Sequence, residues 1–347
     1  MNNVLLAFRD DQRDLEILQQ IRDEEGWDNW LPIAELSLLE LPEFAEFISK
    51  ELTTCELAVV QLMKLKLSGK SYFEELEEAI DIARNPESRD LVLEGRLRME
   101  RGLHHFEAGD FEKARSDFDW AEIRLKSVAK ASRNHDLSLL NKAAFHQSIG
   151  EPFMALHTYS EIARDAGHAN ETIAISRLQA GRILMNFGKE YDAIRNPFNA
   201  HVYGIKAGLI DLSVEAGAIF VELTWPYQNE SAERMIKQVE DAKPKSAGEE
   251  EHSIEIHPED TEGVFSWCTS QVLRDFGGID RPDIRAMLML AKTYNQTNLF
   301  EDLLKSPKLV DDIQLAELCI EFVDDKKQWA SRILELSSDL APIDEDQ

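Results

Sequence analysis

The sequence predicts an all-α protein built from tandem helix hairpins, and three observations carry that expectation. The chain of 347 residues contains only 16 Gly and 11 Pro, below average usage of both, which favours long helices over a turn-rich β fold. Apolar residues make up 43%, too many for wholesale disorder and enough for sizeable cores. A small residue, a turn glycine and two further residues recur in one register: Gly102, Gly109, Ala114 and Ala121, then Ala143, Gly150, Ala155 and Ile162, then Gly181, Gly188, Ala193 and Ala200. The second set lies 41 residues after the first, and the third 38 after the second. Self-similarity at such a period is the signature of stacked repeats.

Taken in order, residues 1–54 read as an N-terminal helical cap. Helices of mixed polarity between 4 and 52 are interrupted at Gly26, Pro32 and Pro42, and Trp27, Trp30, Leu38, Leu39, Leu41 and Phe44 can cover the open end of a repeat stack. The repeats span 55–242. A first helix over 55–67 is followed by one beginning at Ser71, with Ser71 and Glu74 in a capping-box pattern and Phe73, Ile80 and Ala83 fitting a second helix of the repeat. In the next hairpin, Gly102 and Ala121 let two antiparallel helices approach closely while Phe111 and Phe118 fill the space beside them. Asp110 follows the turn glycine as an N-cap. Pro197 makes the second helix of the third copy kink or restart. An apolar helix over 209–224 ends before Pro226, and 231–241 returns as a shorter amphipathic one.

Residues 243–263 turn polar and acidic, with Pro244, Gly248, Glu249 to Glu251 and Pro258, and read as an acidic linker or mobile loop. Residues 264–347 form a C-terminal helical extension with helices over 264–276, 282–294, 298–304, 310–323 and 327–336, ahead of an acidic tail over 340–347. Asp280 with Asp283, and Asn298 with Glu301, have the form of N-terminal caps.

The repeated register resembles the tetratricopeptide repeat family, whose unit is a hairpin of roughly 34 residues. The resemblance implies a right-handed α-solenoid of antiparallel helix hairpins. The offsets of 41 and 38 are longer than the family unit, and the copies depart from its pattern at Arg98, Arg101 and His105 in the first and at Lys142 and Pro152 in the second. The positions that the family turns to its concave groove carry Arg96, Met99, Glu100 and Leu103, then Leu140, Asn141 and Ala144, then Gln179 and Arg182. Of the family's clamp for chaperone C-termini only Asn141 is kept, so a chaperone adaptor is not expected.

Charge narrows the partners. Lys and Arg total 38 against 66 Asp and Glu, a net charge of −28. Duplex and phosphate binding use Lys and Arg, so no direct nucleic-acid partner is expected, and anionic lipid repels such a chain. Cys55, Cys268 and Cys319 are odd in number and far apart, which fits a reducing cytoplasm rather than a disulfide framework. Charges at Arg9, Asp10 and Asp11 end the first apolar run as it would begin to look like a secretory signal, and no run of apolar residues is long enough to span a bilayer.

Motifs for chemistry are scarce. No glycine-rich phosphate loop, H-E-x-x-H or close cysteine pair occurs. His252 and His257, flanked by Glu255 and Glu259, lie in the linker with no helical register to converge them, so no metal and no cofactor are implied. His104 and His105 are adjacent, which a helix turns about 100° apart.

One constellation stands out. Arg101 and His105 in the first copy and Lys142 and His146 in the second occupy the same register, each pair four residues apart on one helical face. Between Leu91 and Arg133 nine Lys and Arg face eight Asp and Glu, a neutral to basic island. Two readings are open. The stripe accepts a partner's carboxylates, a chain terminus or a phosphate; or its stems run over the hairpin core and its charges pair with acids such as Glu94, Glu100 or Glu161. The expected function is a non-enzymatic protein-protein interaction module, a scaffold, adaptor or regulatory subunit, that takes a peptide segment or protein partner of basic character on the solenoid surface. A peptide-sensing regulator whose superhelix changes shape, and a helical-repeat enzyme without a recognisable motif, are the alternatives.

Overall fold

The computed structural model describes residues 50, 52–163, 166–224, 258–274 and 313–339, with 285, 288–292, 295, 300 and 301 between the last two stretches. Every regular element among them is helical, and no helix of the described residues is long and apolar enough to cross a membrane. The chain divides into two compact units, Met1–Thr158 and Tyr159–Gln347, a division that falls inside the 55–242 stretch. The expected cap over 1–54, the helix over 231–241 and the tail over 340–347 lie almost wholly outside the described residues.

The first unit contains α1 (Thr54–Leu67), α2 (Phe73–Arg84), α3 (Leu91–Glu107), α4 (Phe111–Val128) and α5 (Arg133–Ser148), and α6 (Pro152–Ser160) leads the chain out of it. Local chemistry starts these helices. Thr53 and Glu56 form a reciprocal capping box on α1, the Glu56 carboxylate accepting the Thr53 N–H at 2.7 Å. Asp90 accepts two first-turn N–H groups of α3 at 3.0 Å, and Ser132 accepts that of His135 in α5.

Two expected caps are corrected. The second helix starts at Phe73 with Tyr72 in the cap position and no side-chain cap bond, so the box sits one helix earlier than Ser71. Asp110 does occupy the cap position of α4, but makes no cap bond, because its carboxylate turns to Lys113 at 2.6 Å.

The hairpin turns share one geometry. After α3, Gly109 N–H donates to Phe106 O and Asp110 N–H to His105 O; after α5, Gly150 N–H donates to Gln147 O and Glu151 N–H to His146 O. Both glycines are left-handed, with φ of 80° and 81°, the conformation this paired closure of the last carbonyls requires. The same pair of bonds closes α1 at residues 69 and 70, and the helix before Gly188. Between α3 and α4 the seam is made by glycine: a Cβ at Gly102 would lie 3.0 Å from the Phe118 ring, and one at Gly95 2.9 Å from Leu125. One core joins Val59, Leu62, Leu76 and Ile80 to Leu93 and Leu97 of α3, and another gathers Ala114, Phe118 and Phe145.

The second unit contains α7 (Asn170–Asn186), α8 (Glu190–Ala193), α9 (Arg195–Ala207), α10 (Ile210–Thr224), α11 (Pro258–Arg274), α12 (Ile313–Ile320) and α13 (Lys326–Asp339). The expected break at Pro197 appears three residues earlier, at Ile194. A restarted helix then carries Pro197 in its first turn, where its missing N–H needs no partner. The linker reading is corrected at its C-terminal end: α11 begins at Pro258, so 258–263 is helical, with proline at the first helical position it suits best. Buried Arg177 donates to the carbonyls of Tyr159 and Ile162 at 2.9 and 2.6 Å, tying α7 to the chain where it leaves α6. The core of this unit runs from Phe198 and Phe220 through Val264, Phe265 and Cys268 to Leu288, Cys319 and Trp329.

Candidate functional site

The basic stripe of the first unit turns toward α4, whose Asp117 meets Arg101 and whose Asp119 and Glu122 meet Lys142. Arg101 on α3 donates from Nε and Nη2 to the two oxygens of Asp117 on α4, at 2.8 and 2.7 Å, and from Nη1 to Glu77 of α2 at 3.0 Å. Its pKa is raised above the ordinary guanidinium value, first by the hydrogen bonds to Asp117. Arg98 donates to Glu94 at 3.0 Å and to Asp117 at 3.3 Å, with its guanidinium 4.1 Å from the centre of the Trp120 ring. His105 stands 4.0 Å from Asp117 and edge-on to Phe73, and His104 also packs edge-on with the same phenylalanine.

On α5, Lys142 lies 2.8 Å from Asp119 and 3.3 Å from Glu122. Burial works against its charge, yet these two carboxylates outweigh burial and raise its pKa. His146 is buried, with Nδ1 2.7 Å from Glu151 Oε2, and Arg115 grips the same carboxylate with two bonds of 2.7 and 3.1 Å. The positive charge of the stripe is therefore matched within the unit, through partners that are mostly not the acids named from sequence. Of those, Glu94 takes Arg98, and Glu100 is held by Lys66 at 2.5 Å and the Tyr72 hydroxyl at 2.9 Å.

Arg115 first, and then His146, hold the Glu151 carboxyl down at about 2 from its ordinary 4.5. A carboxylate depressed on folding adds stability that is complete above pH 4.5 and is lost as pH falls toward 2. Thermal melts of the wild type and Glu151→Gln should therefore differ most near neutrality and converge in acid. A gap that stays constant from about pH 6 to about pH 3 would contradict this assignment.

A second face of the same helices is open. A cavity of about 100 Å³ lies between α1, α3 and α5, floored by Leu62, Met63 and Met99, with Leu103, Leu137 and Asn141 on its walls. Arg96 and Glu100 also line it. Arg96, Met99, Glu100 and Leu103 follow helical spacing on α3, so one face of that helix supplies the centre of the depression. Sequence reasoning missed the contribution of α1, although Val59, Leu62, Met63 and Lys66 carry the same spacing.

The candidate residues thus separate. Arg101, His105, Lys142 and His146 hold the hairpins together, whereas Arg96, Met99, Leu103 and Asn141 surround the cavity. Leu140 is half-buried on α5. Gln179 and Arg182 belong to the second unit, on α7, where Arg182 pairs with Glu215 of α10. His252 and His257 lie outside the described residues. The cavity, at about 100 Å³, is smaller than pockets that enclose a substrate-sized molecule. No protein-family model matches the chain, and no curated protein matches it.

Proposed function

We propose that this chain is a non-enzymatic binding module whose hairpins stack in the manner of tetratricopeptide repeats and which receives a peptide segment of a partner protein on the first-helix face of its first unit. The observation that carries this reading is the cavity between α1, α3 and α5, because Arg96, Met99, Glu100, Leu103 and Asn141, at groove positions of the resembled family, all line it. The repeated turn geometry at Gly69, Gly109, Gly150 and Gly188 supports the stacking.

An aliphatic side chain of the partner fills the cavity, and the net charge of −28 draws in a partner of basic character at low salt. Scaffold, adaptor and regulatory subunit are the roles such a module serves. Three buried cysteines outside any disulfide, Cys55, Cys268 and Cys319, fit work in a reducing cytoplasm.

The test is selection of binders by the full chain from a displayed random-peptide library, repeated with Leu137→Glu. Leu137 is 36% exposed, so the variant is expected to keep its helicity while placing a charge on the cavity wall. Selected peptides should share an aliphatic residue and bind the variant at least about tenfold more weakly. Peptides without such a residue, or ones that bind both proteins equally, would refute the reading.

A further inference from the structure

A second cavity, of about 290 Å³, lies within the second unit, beside the turn between α12 and α13. Its apolar floor is made by Ala291, Phe300 and Trp329, the last two only 8% and 2% exposed. Phe322 adds a third aromatic ring. The charges around this floor are unequal: Glu301, Asp324 and Asp325 stand against Lys292 alone among the described lining residues, a balance of −2.

Lys292, Asp324 and Asp325 each have a partner beside the floor. Lys292 Nζ is 3.5 Å from Asp324 Oδ1. Asp325 accepts the Lys327 N–H at 3.1 Å, which caps α13 and offsets the positive end of that helix. The C-terminal end of α12 enters the same turn, with Phe322 N–H donating to Cys319 O at 3.0 Å, and a helix C-terminus carries partial negative charge. Phe322 already accepts one cation, the Arg285 guanidinium 5.5 Å from its centroid, itself anchored to Glu321 at 2.9 Å.

The geometry points to a binding site for an organic cation with an aliphatic stem, an alkylammonium or guanidinium whose methylenes lie on Phe300 and Trp329 while its head meets Glu301, Asp324 and Asp325. Aromatic faces attract such heads through the ring quadrupole, and carboxylates form charge-assisted hydrogen bonds with them. The volume suffices for a lysine or arginine side chain or a short diamine. The site lies wholly within the second unit.

Calorimetric titration of the full chain tests it, with N-acetyl-lysine methylamide, N-acetyl-arginine methylamide and 1,5-diaminopentane as cationic probes and N-acetyl-norleucine methylamide as the neutral match. At least one cation should bind with a Kd on the order of 1 mM or tighter and at least about tenfold better than the neutral probe. The double variant Glu301→Gln, Asp325→Asn should lose about tenfold in affinity at unchanged helicity, since asparagine still caps α13. Preference for a blocked amino acid identifies a protein side chain as the source, and preference for the diamine a free polyamine; either result supports the site. Equal binding of the neutral probe, equal affinity in the double variant, or no saturation by any cation well above about 1 mM overturns it.

Discussion

Asp117→Ala is expected to destabilise the first unit by about 3–5 kcal/mol, because it strands charge inside the hairpin. The Asp117 side chain is 4% exposed and receives Arg101 at two oxygens and Arg98 at one. Glu77 and Glu94 hold only the far sides of those guanidinium groups, so deletion leaves donors facing a space where water enters poorly. Asp117→Asn keeps the shape and loses the charge, and should cost nearly as much. Replacing Arg101 and Asp117 together, as Arg101→Met with Asp117→Leu, should recover most of the loss, since a well-packed apolar pair often equals or exceeds a buried ion pair. Urea unfolding of the three variants measures this directly. A cost below about 1 kcal/mol for Asp117→Ala would place the network among solvent-screened surface pairs and remove its role as the clamp between α3 and α4.

That network also marks where sequence reasoning stops. Helix periods and turn glycines are local quantities, so the hairpin around Gly109 was legible together with the close approach at Gly102. The face of Arg101, His105, Lys142 and His146 was legible for the same reason, as helical spacing puts residues four apart on one side. Their partners were not, because Asp117, Asp119 and Glu122 lie on another helix and are chosen by the depth and rotation of packing. Cap residues failed for a related reason: Ser71 and Asp110 had the right chemistry, but Lys113 captured the Asp110 carboxylate. The cavities were least legible. Each combines short faces from segments distant in the chain, such as Leu62 with Asn141, or Ala291 with Trp329, and only the tertiary fold selects those pairs.

Gly217→Ala should lower the stability of the second unit by about 1–3 kcal/mol, although alanine is the better helix former by about 1 kcal/mol. The cause is the contact between α10 and α11. A Cβ at Gly217 would clash with Cys268 Sγ and lie 2.9 Å from His201 Nδ1 and 3.0 Å from Val264 Cγ1. None of these neighbours yields easily. Cys268 is fully buried and turns its thiol toward Val214 O. His201 Nδ1 lies 2.8 Å from Ser213 O, and Trp267 packs edge-on against its ring. Burial holds the imidazole below its ordinary pKa. The added methyl must push the two helices apart and loosen the core that Val264 and Cys268 share with Val214 and Val221. Cys268→Ala removes the nearest obstacle, so the double variant should regain part of the loss while His201 and Val264 keep it incomplete. The double-mutant cycle should give a coupling of about 0.5–3 kcal/mol in the direction of rescue. If Gly217→Ala instead proves neutral or stabilising by thermal and urea denaturation, helix propensity outweighs packing at this seam, and α10 and α11 do not pack at the spacing that glycine permits.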